Sequence, residues 1–460
     1  MIYQSINPYN GKELKSFEEF TDKQLEKALQ TAANCFETWR TTKFVQRAAV
    51  VAKAATIMRA RRDELAGFMT LEMGKLIGEA RGEVALSADI LDYYAKNAEQ
   101  FLAPEHLKLS SGEAEIVSTP LGVLFGVQPW NFPYYQLVRF AAPNLMAGNV
   151  VMVKHARCVP QCAIAFEKIW REAGAPEGAY TNLMISHDQV NLVIDDPRIK
   201  GVALTGSADA GRSVAARAGQ NLKKSTMELG GSDAFIVLED ADLDKAVLWA
   251  CWAKMNNMGQ CCIAAKRFIV VEQLADRFLE KFKTALAGFQ PGDPLDEKTT
   301  LAPLSTEAAL VHLLEQVKIA VAHGATLVMG GNRIDRPGAF MQPTILMNVE
   351  PKNPSFREEF FGPVALFFRV KNESEAVALA NNSDFGLGGS VFTRDIERGK
   401  RVASQIDTGM VFINHPTWTA PDLPFGGIKN SGYGRELSSL GIHEFVNKKL
   451  VRIESVNAPA

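Results

Sequence analysis

Two cysteines stand side by side at the end of an apolar segment, in Asn257-Met258-Gly259-Gln260-Cys261-Cys262-Ile263. A thiolate adds to an electrophilic carbon and leaves again from a thioester, so a thiol placed behind a glycine turn is a candidate nucleophile. We assign that role to Cys262. Cys261 is read as packing beside it or lining the same site, because a disulfide between neighbouring residues closes a strained ring. The remaining cysteines, Cys35, Cys158, Cys162 and Cys251, read as small apolar packing residues. No C-x2-C pair is present, so the chain offers no structural zinc motif.

Three other stretches carry groups able to act on a small molecule. In Gln128-Pro129-Trp130-Asn131-Phe132-Pro133, two prolines stiffen a loop that begins where a buried strand ends. Asn131 is open to two readings, a turn residue or an amide aimed into a site. Gly206-Ser207-Ala208-Asp209-Ala210-Gly211 opens a helix directly after a strand, which presents backbone N–H groups to an anion. It is neither G-x-G-x-x-G nor a P-loop, so phosphate binding and a simple tight turn both remain open. Pro424-Phe425-Gly426-Gly427 begins a late glycine-rich segment.

These stretches need a scaffold, and the chain is long enough to supply one. It has 460 residues, 47% hydrophobic and 22% charged, which suits two or three domains with real cores. The net charge of -2 lacks the basic footprint of a nucleic-acid binder. The first residues resemble neither a secretory signal nor a transit peptide, and no apolar run nears the ~18 residues of a membrane span. The expected location is the cytoplasm, where disulfides are not expected.

Helical periodicity marks residues 21–40, with Thr21 or Asp22 as cap, then 44–73 and 77–101. The first hundred residues thus read as mainly helical. Residues 113–118 alternate like an exposed strand or hairpin arm. From residue 120, apolar strands alternate with helices: strands near 120–127, 150–154, 201–205 and 224–229, then 235–238, 268–272, 365–369 and 390–393. That pattern predicts an α/β chain with parallel sheets covered on both faces. Residues 448–454 read as a terminal strand with nothing of its own to pair with, which suggests an edge shared with another subunit.

Taken together, the chain resembles the aldehyde dehydrogenase superfamily. The matching stretches are Pro129 to Pro133, Lys154, Thr205-Gly206-Ser207, Glu228-Leu229-Gly230-Gly231, Gly259-Gln260-Cys261-Cys262, Glu359-Phe360-Phe361-Gly362-Pro363 and Pro424 to Gly427, in the family's order. The resemblance implies a Rossmann-like cofactor domain (1–101 and 121–230), an α/β catalytic domain (231–438) and a small β oligomerisation arm (102–120 and 439–460). It also implies a homo-oligomer. By the same resemblance Cys262 is the nucleophile, Asn131 an oxyanion donor alongside the Cys262 N–H, and Glu228 the base that activates water. The bland alternative for Glu228 is a strand-end carboxylate facing solvent. Relatives that pass the acyl group to CoA lack this base, so Glu228 favours hydrolysis. Gly206 and Ser207 are implied near the cofactor pyrophosphate and Lys154 at the adenine ribose. Glu359 is implied at the nicotinamide ribose, with Trp130, Leu229 and Phe361 around the same cofactor.

Departures from the pattern sharpen the expectation. NAD-preferring relatives often carry Glu three residues after the lysine, whereas this chain has Arg157. An Arg can bind a 2′-phosphate that a carboxylate would repel, so NADP is favoured over NAD. A surface Arg pointing away is the alternative. Arg139 resembles the residue with which succinate-semialdehyde dehydrogenases hold the distal carboxylate, and residues 130–139 are most similar to the bacterial branch of that group. A second Arg found in some members is Asn256 here. Tyr135 and Thr419, with Trp130, Tyr134 and Trp418, are candidates to shape the pocket, plain core packing being the equal alternative for most of them. A broader aliphatic or aromatic aldehyde is the alternative substrate.

Overall fold

The computed structural model describes residues 2–456, so the expectations placed on residue 1 and on 457–460 lie outside the described residues. Helix Asp22–Trp39 begins where the sequence puts it. The Thr21 hydroxyl accepts from the Gln24 N–H at 3.3 Å, and the Gln24 side chain returns a bond to the Thr21 N–H at 2.8 Å. Its Leu25, Leu29, Ala32 and Phe36 are buried.

The long helix expected over 44–73 is two helices, Phe44–Ala60 and Arg62–Met73, with a corner at Arg61. The Arg61 guanidinium forks onto Glu64 at 2.8 and 2.7 Å and reaches Glu172 at 3.3 Å, which pins the corner. The first hundred residues also hold a hairpin, Ile2–Ile6 paired with Glu13–Glu18, that periodicity does not reveal. Its second strand is almost wholly exposed, and Tyr3 is anchored by a hydroxyl bond of 2.8 Å to the Ile185 carbonyl. A contact over that separation leaves no local pattern.

Two parallel sheets organise the rest. The first orders Val123–Gln128 between Val150–His155 and Ile199–Thr205, with Tyr180–Asn182 beyond one and Lys224–Glu228 beyond the other. The chain runs outward from Val123–Gln128 in one direction, then returns to place Ile199–Thr205 on its other side. The strand order therefore reverses between Gln128 and Thr205, and such a switch point opens a crevice at the carboxyl ends of the strands. The loops at 129–133 and 206–207 leave from that crevice. Gly432–Tyr433 adds an antiparallel edge to this sheet by pairing with Met227 and Glu228, although it lies inside the 231–438 segment.

The second sheet has seven strands. Asp233–Val237, Ala265–Val271, Val364–Val370, Thr344–Met347, Gly389–Phe392 and Phe412–Ile413 run parallel, and Thr326–Met329 is the antiparallel edge. Its central strands are buried, as a sheet covered on both faces requires, and its two edge strands are not. The terminal strand Val446–Ile453 does find a partner in its own chain. It pairs antiparallel with Glu113–Pro120, which in turn pairs with Glu105–Leu107. The expectation of a strand with nothing of its own to pair with is thus corrected: the partner lies over three hundred residues away in sequence. No helix among the described residues is long and apolar enough to cross a membrane.

Candidate active site

The loop carrying the two thiols joins helix Leu243–Met255 to strand Ala265–Val271. Three consecutive residues, Asn257, Met258 and Gly259, have φ of 49°, 56° and 72°. Left-handed backbone at two non-glycine residues is costly and is held only where the surroundings over-determine it. Here they do. The Asn257 amide nitrogen donates to the Asn131 carbonyl at 2.8 Å and the Gln260 carbonyl at 3.2 Å, and its N–H donates to Glu79 at 3.1 Å. The Gln260 side chain accepts from the Ser305 N–H at 2.8 Å and donates to the Asn257 carbonyl at 3.2 Å. Gly259 could not be another residue: a Cβ there would stand 2.2 Å from the Gly362 carbonyl.

Asn131 meets this loop directly. Its amide nitrogen donates to the Gln260 carbonyl at 3.0 Å, which leaves its second N–H available, and its oxygen accepts from Gln136 at 2.8 Å. Behind it lies a fully buried ion pair between Lys75 and Glu83. Lys75 donates to the Asn131 carbonyl at 2.9 Å, while Glu83 accepts from the Tyr134 and Tyr135 N–H groups at the start of helix Pro133–Ala147. Stranding either charge alone in such a position costs on the order of 3–5 kcal/mol, so the pair locks the loop.

A cavity of about 430 Å³ reaches the thiols, lined by Cys261, Cys262, Arg139, Tyr135, Trp418 and Thr419 among others. Asn256 also lines it. The Tyr135 and Thr419 hydroxyls are 2.8 Å apart. Arg139 is buried, ion-paired with Glu436, and donates to Tyr135 at 3.3 Å and Thr205 at 3.2 Å. One donor on each terminal nitrogen is still uncommitted. Burial opposes its charge, but the carboxylate of Glu436 more than restores it, so Arg139 stays cationic. Tyr134 takes the core-packing alternative: it is fully buried, with its ring near Phe166.

Glu228 ends its strand as expected but does not line the cavity. It is buried, so the alternative of a solvent-facing carboxylate is corrected. Its carboxyl group lies against Gly426, where a Cβ would come within 2.7 Å of Oε1, and neither oxygen has a hydrogen-bond partner in the protein. Burial pushes it well above the usual carboxyl range, with Arg139 pulling the other way. In this arrangement its ionisation is disfavoured. The two thiols share a hydrogen bond, and that bond, together with burial, splits their titration. The pair gives up its first proton below the ordinary thiol range and its second well above.

The crevice side fits a dinucleotide. Gly206 and Ser207 open helix Ala208–Gln220, with the Ser207 hydroxyl accepting from the Ala210 N–H at 3.3 Å. Leu229 packs where a Cβ on Gly211 would fall, which keeps that helix close to the sheet. Lys154 is buried; burial and then Arg157 bring it down to about 8. Two neighbouring basic side chains suit a phosphate. Arg157 is half-buried over the Tyr3 ring at 5.3 Å and paired with Glu19. Trp130 and Phe361 pack edge to face at 5.8 Å, and Glu359 accepts from the Gly231 N–H at 3.1 Å. Sequence reasoning missed Glu79, Lys75, Lys266 and Glu436. Each is a charge whose role depends on a contact made only in the fold, and no local pattern exposes it.

The model of the Aldehyde dehydrogenase family matches residues 1–451. The chain belongs to the aldehyde dehydrogenase family. Among family members, a protein of Deinococcus radiodurans named succinate-semialdehyde dehydrogenase [NADP(+)] is 51% identical over 450 residues, covering 98% of this chain and 94% of that one. One of Synechocystis, named a probable succinate-semialdehyde dehydrogenase [NADP(+)], is 46% identical over 98% of this chain and the whole of its own. The crystal structure of succinic semialdehyde dehydrogenase from Streptococcus pyogenes in complex with NADP+ superposes with a TM-score of 0.97 at 47% identity. It covers 98% of this chain and 100% of the other. The aldehyde dehydrogenase fold is thereby confirmed, with its two parallel sheets meeting at the nucleophile loop.

Proposed function

We propose that this aldehyde dehydrogenase oxidises succinate semialdehyde to succinate with NADP. The observation that carries the reading is Arg139, a buried cation with free N–H donors in the wall of the cavity that ends on Cys262. A guanidinium fork matches a carboxylate. The names of the relatives agree with it.

The residues then divide the work. The thiolate of Cys262 adds to the aldehyde carbon, and the second Asn131 N–H with the Cys262 N–H holds the oxyanion. A bound nicotinamide supplies the hydride acceptor. Loss of hydride from the tetrahedral carbon leaves a thioester on Cys262. Glu228 takes a proton from water, water adds to the thioester, and Cys262 leaves as thiolate with the carboxylic acid. Glu228 must turn from Gly426 towards Cys262 and lose its own proton to do this. Residues 1–101 and 121–230 hold the cofactor, 231–438 the nucleophile, and 102–120 with 439–460 form the oligomer contact. Exposed Leu450 and Ile453 on an edge strand support a homo-oligomer. We place the enzyme in the cytoplasm, as its free cysteines suit a reducing compartment.

Steady-state kinetics on a panel of aldehydes with NADP and NAD test the proposal. The best kcat/KM is expected for the carboxylated C4 aldehyde with NADP; a neutral aldehyde of equal length doing better would refute it. Arg157→Glu should lower the NADP to NAD ratio of kcat/KM by roughly tenfold or more, by repelling the 2′-phosphate. An unchanged ratio would remove Arg157 from cofactor choice.

Glu79 adds a pH dependence. It lines the cavity, and burial pushes it up to about 7, against the pull of the Asn257 N–H. Below pH 7 it is neutral; above, it is an anion facing an anionic substrate. KM for succinate semialdehyde should therefore rise roughly threefold to tenfold from pH 6 to pH 8. KM for butanal should stay flat, and Glu79→Gln should abolish the rise. Parallel profiles for both aldehydes would exclude this role.

A further inference from the structure

Lys266 is a buried ammonium that the reaction above does not use. It stands in strand Ala265–Val271, wholly removed from solvent, four residues after Cys262. Its nitrogen donates to the Cys261 carbonyl at 2.7 Å and the Cys262 carbonyl at 2.6 Å, and it pairs with Glu359 at 3.0 Å. Three donors meet three acceptors, so the ammonium is fully satisfied. A lysine buried only as filler would not need the two carbonyls of the nucleophile dipeptide and the carboxylate assigned to the nicotinamide ribose.

We propose that Lys266 is a positioning residue that couples the cofactor ribose, through Glu359, to the orientation and charge of the Cys262 thiol. The inference rests on the reading of Cys262 and Glu359 given above. The Cys261 carbonyl belongs to the same planar peptide as the Cys262 N–H, the oxyanion donor. An ammonium on that oxygen, with the Ala264 N–H also on it at 3.1 Å, fixes the plane and aims the N–H away on the far side. It also polarises the peptide and strengthens the donor. The hold on the Cys262 carbonyl fixes the next peptide, so the thiol is framed from both sides.

The charge acts as well. Lys266 and Arg139 favour the thiolate of Cys262, while Cys261 and burial oppose it; Lys75 favours that of Cys261. Around Lys266 itself stand the carboxyl groups of Glu359 and Asp233 and the amine of Lys254, whose charged form burial and Lys266 disfavour. Glu359 divides its attraction between Lys266 and the Gly231 N–H. Ribose hydroxyls that donate to this carboxylate disperse its charge and leave more of the ammonium's field on the thiol.

Alkylation of Cys262 by iodoacetamide, followed by mass against pH in a Cys261→Ser background, tests this without aldehyde turnover. NADPH, whose ring is uncharged, is the probe for the ribose. In the background protein NADPH should lower the pH of half-maximal reactivity. Lys266→Met should raise that pH by about one unit, slow alkylation at pH 7 roughly tenfold, and abolish the response to NADPH. Profiles for Lys266→Met that overlay the background, with and without NADPH, would overturn the proposal. If Lys266→Met does not fold, Glu359→Gln decides: a lower half-maximal pH without NADPH supports the coupling, and an unchanged one overturns it. Failure to oxidise succinate semialdehyde would refute the substrate reading and leave these outcomes intact.

Discussion

Replacing Cys262 with Ala is expected to remove aldehyde oxidation by at least about four orders of magnitude, because removing a covalent nucleophile removes the route and not a fraction of it. Cys261 is not expected to take over. It lines the same cavity, but its carbonyl is held by Lys266 and the Ala264 N–H. NADPH binding, read by nicotinamide fluorescence, should be unchanged, which separates loss of chemistry from loss of fold. A second signature comes from the thiol pair. The bond to Cys262 is what brings Cys261 below the ordinary thiol range, so in Cys262→Ala the Cys261 thiol should return towards that range. Its alkylation at neutral pH should slow accordingly. Substantial turnover in Cys262→Ala would show the nucleophile to be elsewhere.

Glu228→Gln carries the second large effect. Hydride loss precedes the step that needs the base, so one equivalent of NADPH per active site should still appear rapidly. Steady-state turnover should then fall by roughly 10²–10⁴-fold, and an acyl-enzyme should be visible by intact mass. The pH profile follows from burial, which raises Glu228 well above the usual carboxyl range. The parent enzyme should gain steady-state rate as pH rises and the group ionises; the variant should not. Stability moves the other way. A carboxyl raised by folding binds its proton more tightly in the native state, so stability falls as pH rises from the unfolded value towards the folded one. Glutamine stays neutral throughout, so Glu228→Gln should be at least as stable as the parent at pH 8. Low activity with a lowered melting temperature, or no burst, would reject this assignment of the base.

The site was legible to different depths in different residues. Cys262, Asn131, Glu228 and Glu359 stand in short motifs whose residue types are dictated by chemistry, and these can be read from side-chain identity. Tyr135 and Thr419 were placed in one pocket from sequence, and their hydroxyls do meet. Tyr134, one residue away, faces the core, because successive helical residues point about 100° apart and a motif does not say which face is inward. The parallel strands and most helices followed from apolar runs and caps. The corner at Arg61, the hairpin anchored by Tyr3 and the partner of the terminal strand did not, because each depends on a contact with a remote segment.

By itself the sequence determined the order of strands and helices, the membership of the family and the set of groups available for chemistry. Those depend on local periodicity, backbone propensity and residue type. Only the tertiary structure decided how those groups are charged and held. It paired Lys75 with Glu83 and Arg139 with Glu436, set Lys266 on the carbonyls beside Cys262, and turned Glu228 towards Gly426, where burial disfavours its charge. The physical reason is that desolvation and Coulomb energies depend on distances in space, and those distances are not set by separation along the chain.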